Sequence, residues 1–282
     1  MTVVRLASVA IVGLVAGCFT KPEQFGGTGS DAGRDAVVDP DAGDGGGTPC
    51  SFGPFVGQTF NADVTGEPTI RTDGSEFFFA YQLRGNAWEI RSGVRTATTS
   101  FTPGPGLPTE TDEEIDQDPS ISDDGSVMVY RSLKGGMDPY VAQVKRSGTN
   151  WSDPFPVLTG IPVASVDLSG DGKTLYFTVD GDSLRKATRT NLEGSFTVEG
   201  TDLGGPYRLA TVSPSGRELF HSGDPSSKEL WRTSRLAPSG PFGPSDLLAD
   251  TVFDPDLSGD GLRLIVATPS GGVSIATRTC VP

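Results

Sequence analysis

Two carboxylates that face each other across a glycosidic bond, about 5–9.5 Å apart, can hydrolyse it. In this 282-residue chain, Glu67, Asp118, Asp167, Asp254 and Asp256 fall on strands predicted to be innermost. Their regular recurrence argues that most of them serve a repeated structure and not one reaction. His221 is the only histidine, which excludes multi-histidine metal sites and leaves little room for a Ser-His-Asp triad. It occupies a slot held elsewhere by Phe79, Tyr130, Phe177 and Val266, so a packed imidazole is expected, with no partner evident for a catalytic base. Trp88, Trp151 and Trp231 sit in predicted third or fourth strands, where packing is the default and stacking on a sugar the alternative.

The elements that must position these residues are short and repeated. With 38 Gly and 22 Pro, the composition favours many strands joined by turns over helices. Aligning the chain on Gly74, Gly125, Gly172, Gly216 and Gly261 gives a period of 44–51 residues. Four residues before each Gly stands Ile70, Ile121, Leu168, Val212 or Leu257, and just before it Asp73, Asp124, Asp171, Ser215 or Asp260. Apolar triplets follow, such as Phe77-Phe78-Phe79 and Leu264-Ile265-Val266. A strand, a tight turn and an apolar strand make a hairpin. A second strand apolar on both faces is expected to be buried on both, as when blades stack.

An apolar residue followed by Arg five positions on marks a third strand, ending in Arg95, Arg146, Arg189, Arg235 or Arg278. This strand returns beside the turn. The pairs Asp73–Arg95, Asp124–Arg146, Asp171–Arg189 and Asp260–Arg278 are therefore expected on one rim as structural contacts, with Ser215 leaving Arg235 unmatched. A fourth strand opens near Phe101, Trp151, Phe196 or Phe242, and the fifth repeat stops without one. Phe52-Gly53-Pro54 matches Phe242-Gly243-Pro244, so the amino-terminal strand is expected to complete the last blade. Cys50 and Cys280 then flank the missing covalent turn. A disulfide between them is the expected reading, and two unpaired thiols the alternative.

The amino terminus reads as a processing segment. Met1–Arg5 is a short positive stretch, Leu6–Gly17 is apolar and too short to span a bilayer, and Leu14-Val15-Ala16-Gly17-Cys18 resembles a bacterial lipobox. That resemblance implies a signal peptide over 1–17, lipidation of Cys18 and anchoring to a membrane by several acyl chains. Phe19 and Thr20, with no Asp, point to the outer membrane if the cell is Gram-negative. Residues 18–49 hold the lipidated Cys and a Gly/Asp/Ala-rich stretch expected to be a disordered tether with a span of roughly 30 Å. A repeat domain over 50–282 follows. The net charge of −14 speaks against nucleic acid as a partner.

The repeats resemble the TolB-type, WD-repeat-like β-propeller family, whose units read roughly D-P-x-x-S-x-D-G-x-x-L-x-F. The pattern stands here as Asp118-Pro119-Ser120-Ile121-Ser122-Asp123-Asp124-Gly125 and Asp256-Leu257-Ser258-Gly259-Asp260-Gly261. The resemblance covers about residues 50–282 and implies an all-β, five-bladed propeller. Asp167-x-Ser169-x-Asp171-Gly172 also opens like an EF-hand loop, but Thr178 stands where a bidentate Glu is needed, and the family repeat already explains the pattern. No metal or cofactor site is expected. One fold hosts many functions. The expected role is non-enzymatic binding of another envelope component, a protein or a glycan, through the loops of one face. A lectin-like module and, less so, a glycoside hydrolase are the alternatives.

Overall fold

The computed structural model describes residues 50–60, 66–82, 87–104, 106–107, 114–134, 138–179, 183–223 and 228–280. The expected signal peptide, Cys18 and the tether lie outside them. The strands are β1 (Cys50–Phe52), β2 (Val56–Phe60), β3 (Gly66–Ile70), β4 (Glu76–Gln82), β5 (Trp88–Ala97) and β6 (Ser100–Pro103). Next come β7 (Glu114–Ile121), β8 (Val127–Lys134), β9 (Tyr140–Ser147), β10 (Asn150–Trp151), β11 (Phe155–Leu158), β12 (Val163–Leu168), β13 (Thr174–Val179), β14 (Ser183–Thr188) and β15 (Thr197–Asp202). The chain continues through β16 (Arg208–Val212), β17 (Glu218–Ser222), β18 (Glu229–Ser234), β19 (Ser245–Asp250), β20 (Phe253–Leu257), β21 (Arg263–Ala267) and β22 (Val273–Cys280).

These strands form five antiparallel meanders of a β-propeller. The first is β3-β4-β5-β6. The second is β7-β8-β9, with β10 and β11 both on β9. The third and fourth are β12 to β15 and β16 to β19. The fifth is β20-β21-β22, to which the amino-terminal β1 and β2 both pair antiparallel. β2 also runs parallel to β6 through Thr59 and Phe60 opposite Ser100 and Phe101, which ties the last meander to the first.

The turn residues explain the hairpins. In all five, the glycine N–H donates to the carbonyl three residues earlier at 2.7–2.9 Å. That closure puts the residue at φ of +68° to +71°, a left-handed conformation that glycine adopts without steric cost. The preceding Asp73, Asp124, Asp171 and Asp260 each accept the N–H two residues on at 2.9–3.0 Å, and Ser215 does so at 3.2 Å. This is the Asx turn, for which these residue types are suited.

Phe77, Phe78 and Phe79 are all buried, as a strand sandwiched between sheets requires. Phe77 and Phe79 pack with Ile265 and Ile275 of the last meander, whereas Phe78 packs with Ile121 and Met128 of the second. Three more apolar clusters lie between the second and third, third and fourth, and fourth and fifth meanders. Each meander therefore buries both faces against its neighbours.

Candidate functional site

The five innermost strands, β3, β7, β12, β16 and β20, share an irregularity near their start, where the register with the next strand shifts. In four of them the bulged residue has a left-handed backbone: Glu67 (φ 54°), Asp118 (51°), Leu209 (47°) and Asp254 (51°). A non-glycine residue there carries a conformational cost that surrounding contacts must offset. The offset is visible in the hydrogen bonds. Asp254 N–H donates to Ser222 Oγ at 2.9 Å, Glu67 N–H to Asp254 Oδ2 at 3.2 Å, and Asp118 N–H to Glu67 Oε2 at 2.8 Å. Arg131 Nε completes the relay by donating to Asp118 Oδ2 at 3.1 Å. The sequence signal for the bulges is an acid before proline: Glu67-Pro68, Asp118-Pro119 and Asp254-Pro255. Proline supplies no ladder donor, and bulges re-aim the side chains beside them.

Two residues further along each inner strand lies a second tier: Thr69, Ser120, Asp167, Thr211 and Asp256, all buried. Four of these side chains bond the backbone of the following inner strand. Ser120 Oγ accepts from Leu168 N–H at 2.8 Å, Asp167 Oδ2 from Val212 N–H at 2.9 Å, and Thr211 Oγ1 from Leu257 N–H at 3.2 Å. Asp256 Oδ2 joins the last inner strand to the first by accepting from Ile70 N–H at 3.2 Å and Thr69 Oγ1 at 2.9 Å.

The five acids singled out for hydrolysis thus all line one central channel, but in two different roles. Its cavity volume is about 30 Å³, room for one or two water molecules. Burial raises the pKa of Glu67, and burial together with the Glu67 charge lifts Asp118 well above the ordinary carboxylate range. Burial first and the Glu67 charge second push Asp254 to about 7. Burial also carries Asp167 to about 7, and burial with the Asp167 charge raises Asp256 well above its usual value.

The repeat-turn arginines are held in a way the expected Asp–Arg pairs did not anticipate. Arg95, Arg189 and Arg235 donate from Nε to the carbonyl of the turn glycine, Gly74, Gly172 and Gly216, at 2.6–2.8 Å. Arg146 pairs with Glu76 and Arg278 with Glu218, each at 2.6 Å and each across to the preceding meander. Arg189 reaches Gln143 of the second meander. The turn carboxylates are meanwhile occupied with their own N–H groups, as described above. All five guanidinium groups lie over the fourth-strand aromatic: Arg95 on Phe101, Arg146 on Trp151, Arg189 on Phe196, Arg235 on Phe242 and Arg278 on Phe52, at 4.3–5.2 Å. Each is a cation–π contact. Both halves of this pattern stand in the sequence, where their coupling is invisible because the two residues belong to different strands.

His221 is buried, with Nδ1 3.0 Å from the Ser222 carbonyl oxygen and Nε2 3.1 Å from Ser245 Oγ. Burial lowers its pKa, and its ring lies 4.9 Å from that of Tyr207. Trp151 packs edge-on against Phe78. In the loop-like motifs, Asp171 and Asp260 bond their own turns while Asp167 and Asp256 turn to the neighbouring strand, so these carboxylates do not converge. Among the described residues no group of three or more His, Cys, Asp or Glu is arranged to hold a metal ion. Cys50 lies directly opposite Cys280 in the β1–β22 ladder.

No family model matches the chain. Over 103 residues it is 27% identical to lipoprotein LpqB of Nocardia farcinica, a match spanning 36% of this chain and 16% of that protein. Among solved structures it resembles an arabinanase of Bacillus subtilis, Arb43A, with a TM-score of 0.55, 11% identity and coverage of 80% and 97% of the two chains. It also resembles a TolB-type protein from Agrobacterium tumefaciens, with a TM-score of 0.51, 15% identity and coverage of 80% and 78%. At these identities the likeness is one of fold.

Proposed function

We propose that this protein is a lipid-anchored cell-envelope component whose five meanders are the blades of one ring, and that the ring is a non-enzymatic binding module for another envelope component. The observation that carries the second part is the central channel. The carboxylates that would serve hydrolysis converge on a space of about 30 Å³ with room for only one or two water molecules; Glu67, Asp167, Asp254 and Asp256 hold backbone N–H groups of neighbouring strands, and Asp118 is paired with Arg131. They are committed to building the ring. What remains for function is the loops and turns on its faces, presented by rigid strands.

Anchoring through Cys18 rests on the lipobox, and the match to a protein named as a lipoprotein favours it. In this reading the amino-terminal strand completes the fifth blade, where Phe52 supplies the aromatic under Arg278 that the other four blades supply for themselves. A Cys50–Cys280 disulfide fastens it. Directly opposed antiparallel residues have Cα atoms about 4.5–5.5 Å apart, within the range a disulfide needs.

The test is capture of partners by the tagged full chain from detergent-solubilised envelopes, against bare beads. One enriched protein or glycan, displaced by untagged chain and recovered intact, is the expected result. Recovery of a shortened glycan would replace the module reading with hydrolysis, and an empty eluate would remove its support.

A further inference from the structure

Where the inner strands end, on the side of the Asp-Gly turns, a second cavity of about 320 Å³ opens between the third, fourth and fifth meanders. Its size is at the lower end of small-ligand pockets, fit for one side chain or small molecule. The lining is mixed, with Leu168, Val212 and Leu257 beside the polar Asp167, Ser169, Ser213 and Ser258. The rim carries the exposed carboxylates of Asp123 and Asp171, with the Tyr176 ring on one wall. None of the described lining residues is Lys, Arg or His. Of the cations around it, Arg71 and Arg263 are engaged with Asp73 at 3.4 Å and Asp260 at 3.5 Å and Arg235 with the Gly216 and Gly240 carbonyls and Tyr176, while Lys173 and Arg189 lie close enough to act on Asp171.

Asp123 is placed there by three other meanders. Its N–H donates to the Gly170 carbonyl at 2.9 Å, and its Oδ1 accepts from Thr72 Oγ1 at 2.8 Å. Its carboxylate lies where a Cβ on Gly170 or Gly259 would stand. The equivalent turn position is Thr72, Asp123 and Pro214 in the other repeats, so the two glycines are what admit an acid to the centre of this face.

We propose that this cavity binds a primary alkylammonium group, such as the side chain of a lysine on a partner. The methylene stem rests against Leu168, Val212 and Leu257, and the ammonium donates to Asp123 and Asp171. An amphipathic side chain of this kind buries its stem and keeps its charge at a polar rim, and a net charge of −14 draws cations to the face. The inference rests on the binding-module reading and names its face and the chemistry it selects.

Calorimetric titration of the full chain tests it, with an Ala-Ala-Lys-Ala-Ala peptide capped at both ends, its norleucine counterpart, and butylamine as probes. The lysine peptide is expected to bind saturably and about tenfold or more tighter than the norleucine peptide, the difference a charge-assisted hydrogen bond makes. Asp123→Asn and Gly259→Ala are each expected to weaken it by a similar factor. The second keeps the charge and only displaces the carboxylate, and the unchanged unfolding midpoint of either variant verifies its fold. A peptide tighter than butylamine assigns a protein source, the reverse a free amine, and both orders support the site. Equal binding of lysine and norleucine peptides, or undiminished binding by both variants, would overturn it. Envelope capture that succeeds equally with Asp123→Asn would refute this site and leave the module reading standing. A lysine peptide that binds while capture returns nothing would do the opposite.

Discussion

Glu218 shows how much of this ring depends on single buried charges. It is fully buried on the second strand of the fourth meander, and its carboxylate holds both Arg232 and Arg278, the latter from the fifth. Removing one partner of a buried ion pair leaves the other desolvated and uncompensated, at a cost of about 3–5 kcal/mol. Glu218→Ala is therefore expected to lower unfolding stability by about 3 kcal/mol or more in urea titrations, whereas an exposed acid such as Asp153 changed to Ala is expected to cost under about 0.5 kcal/mol. The channel carboxyls act in another direction. Burial pushes the Asp167 and Asp254 carboxyls from their ordinary 3.8 up to about 7. A raised acid favours folding fully below its unfolded pKa, and that advantage is lost as the pH rises towards the folded value, at about 1.4 kcal/mol per unit for each group. The urea midpoint is thus expected to be higher at pH 5 than at pH 8. Asp167→Asn, which cannot ionise, is expected to flatten that slope, and a midpoint independent of pH would show that these carboxyls are not held protonated.

At the scale of elements, the turns were legible and the bulges were not. The Asp-Gly register located all five hairpins because a left-handed glycine and an Asx acceptor are local requirements written in adjacent residues. Gly125 is such a position, at φ of +69° with the Arg71 guanidinium against the place of a Cβ. Gly125→Ala is expected to destabilise by about 1 kcal/mol or more, measured by thermal unfolding. The fourth strands were legible through their aromatics. The reason for those aromatics was not, since Arg278 and Phe52 stand at opposite ends of the chain and meet only when the ring forms. The bulges of the inner strands carry a local mark, the acid before proline. Without the fold, however, nothing indicates that Glu67, Asp118 and Asp254 bend inward to one another. The five channel acids were therefore found as candidates, and their division into a bulged tier and an inter-strand tier required the structure.

At the scale of the molecule, one set of contacts depends on the last meander meeting the first. Asp256 bonds Thr69, Asp254 bonds Glu67, Ile265 packs with Phe79, and β2 bridges to β6 only in a closed ring. The placement of Asp123 against Gly259 across the turn face needs the same closure. A covalent link between Cys50 and Cys280 would fix the seam and, by restricting an unfolded loop of over 200 residues, stabilise by about 5.5 kcal/mol in the chain-entropy model. The direct measurement is peptide mapping of the full chain isolated from envelopes without reductant, with free thiols alkylated first in the native state. The account predicts a single linked pair containing Cys50 and Cys280, and an unfolding midpoint that falls when the pair is reduced. Alkylation of both cysteines in the folded protein would contradict the fastened ring, and with it the closed scaffold on which the proposed binding face stands.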